Sequence, residues 1–116
     1  MSPRLATSVL VGGLMRKAEG EGGFAAVLAK GDPTAGAVIV ILHERGGPQR
    51  VLERLLQPNG AYKWQDTTGQ VVDKITKNED VPGFVARRRR FDPDLWVLEL
   101  DIPSAERFAA EMNATS

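Results

Sequence analysis

Ala37 to Leu42 is one nearly unbroken run of β-branched and aliphatic side chains. Such a run reads as a strand covered on both faces. The rest of the chain must supply that cover. With 116 residues there is enough chain for one domain, and a domain of that size can bury a core without staples. Hydrophobic residues make up 42% and charged residues 26%, which argues for a globular protein and against wholesale disorder.

The segments around the central run supply its neighbours. Thr7 or Ser8 is placed to cap a helix running to about Ala18, with Val9, Leu10, Gly13, Leu14 and Ala18 as its apolar stripe. Phe24 to Lys30 is short, apolar and bounded by glycine, and reads as a strand. Residues 31–36 form a turn in which Asp32 can bond its own backbone and Pro33 fixes φ. Gly46, Gly47 and Pro48 turn the chain again. Gln49 to Leu56 fits a strand or a helix, and the neighbouring hairpin signals favour strand. Pro58, Asn59 and Gly60 precede a further strand in which Tyr62 and Trp64 share a face. The short links predict an antiparallel meander of these four strands. Thr67 to Asn78 is polar and the only candidate flexible stretch.

Asp80 reads as an N-cap, with Pro82 in the first turn of a helix that ends near Phe91 because Pro93 disfavours helical geometry at Asp92. Val81, Phe84 and Val85 form its buried side. In Leu95 to Asp101, Trp96, Leu98 and Leu100 point one way and Glu99 and Asp101 the other, as in a half-buried strand. Pro103 opens a last helix with Ala105, Phe108, Ala109 and Met112 as its stripe, and the tail from Asn113 is expected to fray. The fold class that follows is α+β: a single two-layer domain, an antiparallel sheet of four or five strands, and two or three helices mainly on one face.

Charge and composition limit the function. Fifteen Lys and Arg balance fifteen Asp and Glu, so no global field draws the chain to nucleic acid or membrane. Without cysteine there is no disulfide, thiolate nucleophile or thiolate zinc site, which fits a reducing cytoplasm. Arg4 followed by an apolar stretch to Met15 imitates a signal-peptide core. The stretch is too short to span a bilayer, and Arg16 and Lys17 follow with no cleavage site, so a buried helix is expected.

Residues 87–96 concentrate four arginines, Phe91, Asp92, Pro93, Asp94, Leu95 and Trp96. Guanidinium forks match phosphate and carboxylate oxygens. Consecutive helical residues are about 100° apart, however, so the four arginines cannot share one face, and Asp92 and Asp94 partly neutralise them. A helix C-terminus favours cations in any case. The structural reading is favoured. If the segment binds, the candidate surface is Arg88, Arg90, Asp92, Asp94 and Trp96. Nucleic acid is not favoured, because the chain has no basic excess and Tyr62 and Trp64 are better read as core or cross-strand partners.

Other chemistry is weakly encoded. Asp92 and Asp94 lack a nearby histidine, so they make a poor metal site, and no cofactor is expected. His43 is the one histidine and reads as structural or solvated. An acid–base enzyme would need His43 to meet Asp92 or Asp94 in one pocket. Gly20, Gly22 and Ala25 imitate a dinucleotide fingerprint, but without the strand that must precede it. Asn113 to Thr115 spells a glycosylation sequon only.

Residues 23–38 and 90–99, together with Leu14 to Lys17, resemble the domain of unknown function 1491 family, small proteins found mainly in alphaproteobacteria. The tail from Pro103 is less like that pattern. The resemblance implies a compact, cytoplasmic bacterial protein and no catalytic residues. The residues and the resemblance together point to a non-enzymatic binding or adaptor module. Its expected partner is another protein or a second copy, met through a strand edge or an apolar helix face. The alternatives are phosphate or nucleic-acid binding through the arginines, and the acid–base enzyme.

Overall fold

The run at 37–42 lies at the centre of a five-stranded sheet. The protein's structure, a computed structural model, describes residues 6–45, 49–68 and 81–115. Its strands are β1 (Phe24–Ala29), β2 (Val38–His43), β3 (Arg50–Leu56), β4 (Tyr62–Asp66) and β5 (Trp96–Asp101). Among the described residues, three helices flank them: α1 (Thr7–Gly20), α2 (Val81–Phe91) and α3 (Ala105–Thr115). The fold is a single α+β domain, as the residue pattern implies.

The sheet is mixed, in the order β1-β5-β2-β3-β4, which corrects the expected antiparallel meander. β2, β3 and β4 do form a meander. β5 inserts between β1 and β2, antiparallel to β1 and parallel to β2. The short link from β1 to β2 still makes those two strands run in opposite directions. It simply spans one intervening strand, a step of about 10 Å. The reason is burial. Val97, Leu98 and Leu100 are fully enclosed, so β5 belongs in the interior, while β1 leaves Phe24, Val27 and Leu28 exposed and tolerates the edge.

Cover arrives on both faces of β2. Val38, Val40 and Leu42 pack with Trp96, Leu98 and Leu100 against α1 and α3. Ile39 and Ile41 pack with Val51, Val97 and Leu95 against Phe84 and Val85 of α2. The domain therefore has three layers rather than two, because α2 takes the opposite face from the other helices.

Two local expectations change. Neither Thr7 nor Ser8 caps α1 with its side chain; the cap position is Ala6. The first amides are satisfied from across the chain instead, Thr7 N–H donating to Thr34 O at 3.2 Å and Ser8 N–H to Pro33 O at 2.9 Å. The Thr7 hydroxyl is thereby free to donate to the Thr34 and Gly36 carbonyls. In addition, α3 continues to Thr115 through the segment expected to fray. Asn113 holds the backbone of Trp64, accepting from its N–H at 2.9 Å and donating to its carbonyl at 3.1 Å. A side-chain amide thus occupies part of the outer edge of β4. The 46–48 turn, the polar stretch from residue 69 onward, the Asp80 cap and the side chain of Val81 lie outside the described residues.

Candidate functional site

The step from α2 to β5 is built from the residues that drew attention in the sequence. Asp92 ends the helix with its N–H on Arg88 O, and its carboxylate accepts from Asp94 N–H at 3.2 Å. Leu95 N–H returns to Asp92 O at 3.1 Å. This is a turn stiffened by Pro93 and closed by an aspartate. It docks on the 31–36 turn. Asp32 N–H donates to Asp94 O at 3.1 Å, and the Trp96 indole donates to Asp32 O at 2.7 Å. A Cβ on Gly31 or Gly36 would lie 2.1 or 2.2 Å from Asp94 O, so only glycine permits this approach. Asp32 in turn accepts from Thr34 and Ala35 N–H at 2.8 and 2.9 Å. The amides of Ala35 and Thr34 hold its carboxyl below the ordinary value.

The four arginines diverge, as helical spacing requires. Arg88 forks onto Glu53 of β3, at 2.8 and 3.4 Å, and Glu53 also accepts from the Thr67 hydroxyl at 2.9 Å. Arg87 and Arg88 both lie 5.7 Å from the Phe84 ring centre, a cation–π distance. Arg89 reaches the Lys30 carbonyl at 3.4 Å. Arg90 is exposed and makes no ion pair among the described residues.

The predicted surface is therefore divided. Arg88 is committed to Glu53, and Trp96 is only 4% exposed and belongs to the core. Arg90, Asp92 and Asp94 remain at or near the surface. Beside them stands a residue of the same run that the candidate surface omitted: Phe91, 85% exposed at the end of α2. Phe91 is two helical turns from Phe84 and shares its face, so periodicity alone predicts burial. The buried face of the helix stops before its last turn.

His43 does not join Asp92 or Asp94. In the parallel β2–β5 pair, Val38 is level with Trp96 and His43 with Asp101. The aspartates precede Trp96, so roughly 16 Å of strand separates the groups. The acid–base pair is not assembled. His43 instead pairs with Glu99 at 3.1 Å. Around it, at the C-terminal ends of β2 and β5, is a second polar region. A cleft of about 290 Å³ is lined by Gly22, Gly23, Phe24, Arg45, Asp101, Ile102 and Pro103. Among the described residues no group of three or more acidic, histidine or cysteine side chains could hold a metal.

A family model described as protein of unknown function (DUF1491) matches residues 5–110, continuing past Pro103, where the likeness looked weaker. The crystal structure of a DUF1491 family protein from Caulobacter crescentus CB15 is 32% identical, with a TM-score of 0.68 over 90% of this chain and 94% of that one. The NMR structure of a DUF1491 family protein from the same organism is 31% identical, with a TM-score of 0.72 over 92% and 94%. The solution structure of protein Atu0922 from A. tumefaciens is 26% identical, with a TM-score of 0.68 over 91% and 92%. No curated protein matches the chain.

Proposed function

The chain belongs to the DUF1491 family, and on that premise we propose that it is a non-enzymatic binding module that docks a protein partner at the C-terminal end of α2. The observation that carries this reading is Phe91, 85% exposed next to the exposed Arg90. An aromatic and an arginine side by side have the composition of an interface anchor. Asp92 and Asp94 form the rim. The complementary partner presents an apolar pocket flanked by a carboxylate that accepts the Arg90 fork. The relatives from Caulobacter crescentus and A. tumefaciens support a bacterial origin, and a cysteine-free chain fits the cytoplasm. No helix among the described residues is long and apolar enough to cross a membrane.

The test is affinity capture from native lysate with the wild-type chain, Phe91→Ala and Arg90→Glu, alongside sedimentation of each purified protein. A partner retained by the wild type and reduced about tenfold in both variants supports the reading, as a hot-spot loss of this size does at other interfaces. Both variants should melt like the wild type, because neither side chain is buried. Arg88→Glu should melt lower, since it sets two carboxylates against each other at Glu53. Equal capture by all forms removes the proposal. Oligonucleotide retardation that Arg90→Glu abolishes redirects it to nucleic acid.

A further inference from the structure

The cleft at the opposite end of the sheet is independent of the α2 surface and has its own chemistry. Its lining gathers where the register brings three strand ends level, Phe24 of β1 opposite Asp101 of β5 and Asp101 opposite His43 of β2, with Arg45 following β2. Gly22 and Gly23 line one side without side chains. Gly22 has φ +80°, and a Cβ on Gly23 would meet the Asp101 carbonyl at 2.0 Å, so the chain passes this point as bare backbone. Pro103 supplies an apolar wall, and the Phe24 ring, 60% exposed, supplies another, while the Ile102 side chain turns into the core.

Arg45 is the distinctive member. It has φ +45°, the one positive φ among the described residues other than glycine. A long side chain in that conformation is strained, and such strain persists only where the surroundings impose it. Here Asp101 does so, one carboxylate oxygen accepting from Arg45 N–H at 3.1 Å. The arrangement places the Arg45 side chain on the cleft, where its guanidinium makes no ion pair among the described residues. The other Asp101 oxygen has no hydrogen bond among them. The cleft therefore offers a planar cation and, on the neighbouring Asp101, an acceptor with negative charge, with apolar surface beside them.

We propose that this cleft binds a small amphoteric molecule of the α-amino-acid class with an apolar side chain. The guanidinium of Arg45 takes the carboxylate as a two-pronged fork. The second carboxylate oxygen of Asp101 accepts from the ammonium group. The apolar side chain lies against Phe24 and Pro103. The volume of about 290 Å³ suits a molecule of that size and stands near the lower end for ligand sites.

The experiment is amide-resolved NMR titration of the full chain with L-phenylalanine, and in parallel with 3-phenylpropionate and phenethylamine, which each lack one charged group. Phenylalanine should shift Gly22, Gly23, Arg45 and Asp101 in a saturable way, and the single-charge probes should bind about tenfold more weakly. Arg45→Gln should weaken phenylalanine by about tenfold or more. Asp101→Asn keeps an oxygen for the Arg45 amide and removes the charge, so it should weaken phenylalanine while leaving 3-phenylpropionate unchanged. No saturable shift at these residues overturns the proposal, as does a titration that Arg45→Gln leaves unaltered. If 3-phenylpropionate binds as tightly as phenylalanine, the role given to Asp101 is wrong and the amphoteric class falls with it.

Discussion

The two ends of β5 are built on opposite principles. At the Trp96 end, polar groups are spent on the protein itself. The indole is on Asp32 O, the Asp94 carbonyl is on Asp32 N–H, and the Asp32 carboxylate is on its own turn. The same turn also satisfies the first amides of α1. Residues 31–36 therefore tie together β1, β5 and a helix that is distant in sequence. At the Asp101 end, the guanidinium of Arg45 and one oxygen of Asp101 have no such partner among the described residues, and an exposed ring stands over a cleft. The most distinctive part of the sequence, from Asp92 to Trp96, lies at the closed end. Its concentration of charge and aromatic surface mainly secures the fold. Phe91 and Arg90, just before it, stay bare for a protein partner, and the groups left available for a small ligand lie where the sequence is plain.

The contrast is broken most forcefully at Gly36. A methyl group there meets the Asp94 backbone oxygen at 2.2 Å and the Trp96 ring at 3.0 Å, and a backbone oxygen cannot swing aside like a side-chain tip. Gly36→Ala should cost about 2–3 kcal/mol in chemical denaturation, at the upper end of the range for overpacked positions. Gly31→Ala should behave alike. A cost under about 0.5 kcal/mol for either, the size of an ordinary surface substitution, would show that the lock is loose and the comparison overstated.

Much of this fold is legible without coordinates, and the parts that are not have identifiable physical causes. The five strands and three helices follow from hydrophobic period and turn residues, each a local property. Strand order is not local. The placement of β5 between β1 and β2 depends on which strands need both faces covered, and Val97, on the face that also carries Glu99 and Asp101, does not announce that it will be fully buried. The α1 cap failed for the same reason: carbonyls from residues 33 and 34 reach the helix end before the Thr7 hydroxyl needs to. At the candidate surface, helical spacing correctly separated the arginines. It could not reveal that Glu53 claims Arg88, or that α2 runs on past its buried face and leaves Phe91 bare. The Arg45 cleft has almost no signature, because its parts come from three separated segments and its special residue is marked by a backbone angle.

At the open end, the corresponding test should change stability in the other direction. Arg45→Gly removes a side chain from a left-handed position while leaving the amide that Asp101 holds. Relief of that strain, less the greater freedom of an unfolded glycine, should stabilise by about 0.5–1 kcal/mol. For a chain of this length that is a rise in melting temperature of about 2–5 °C. Phenylalanine binding should be lost in the same variant. Stability gained as binding disappears is the signature of strain maintained for a site. A lower melting temperature would mean that the Arg45 side chain supports the fold, and the two ends would then differ less than the geometry implies.

The smallest effect sharpens the closed end through pH. The Asp32 carboxyl is held below its ordinary value by the amides of Ala35 and Thr34. A carboxyl depressed in the folded state stabilises fully above its unfolded pKa, and loses that contribution as pH falls through the folded value. Asp32→Asn keeps an oxygen for both amides and removes only the charge. The melting temperature of the wild type should therefore exceed that of Asp32→Asn near neutrality. The gap should narrow as pH falls below the ordinary carboxylate value and close once the folded carboxyl is protonated as well, when both forms of residue 32 are neutral. Because the carboxyl lies at the surface, the gap should also shrink in high salt, though less than an ion pair would, since short hydrogen bonds to fixed amides rather than a distant charge hold it. A gap that widens on acidification would have the wrong sign for a depressed carboxyl. It would mean that Asp32 is a strained member of the lock rather than one of its fasteners.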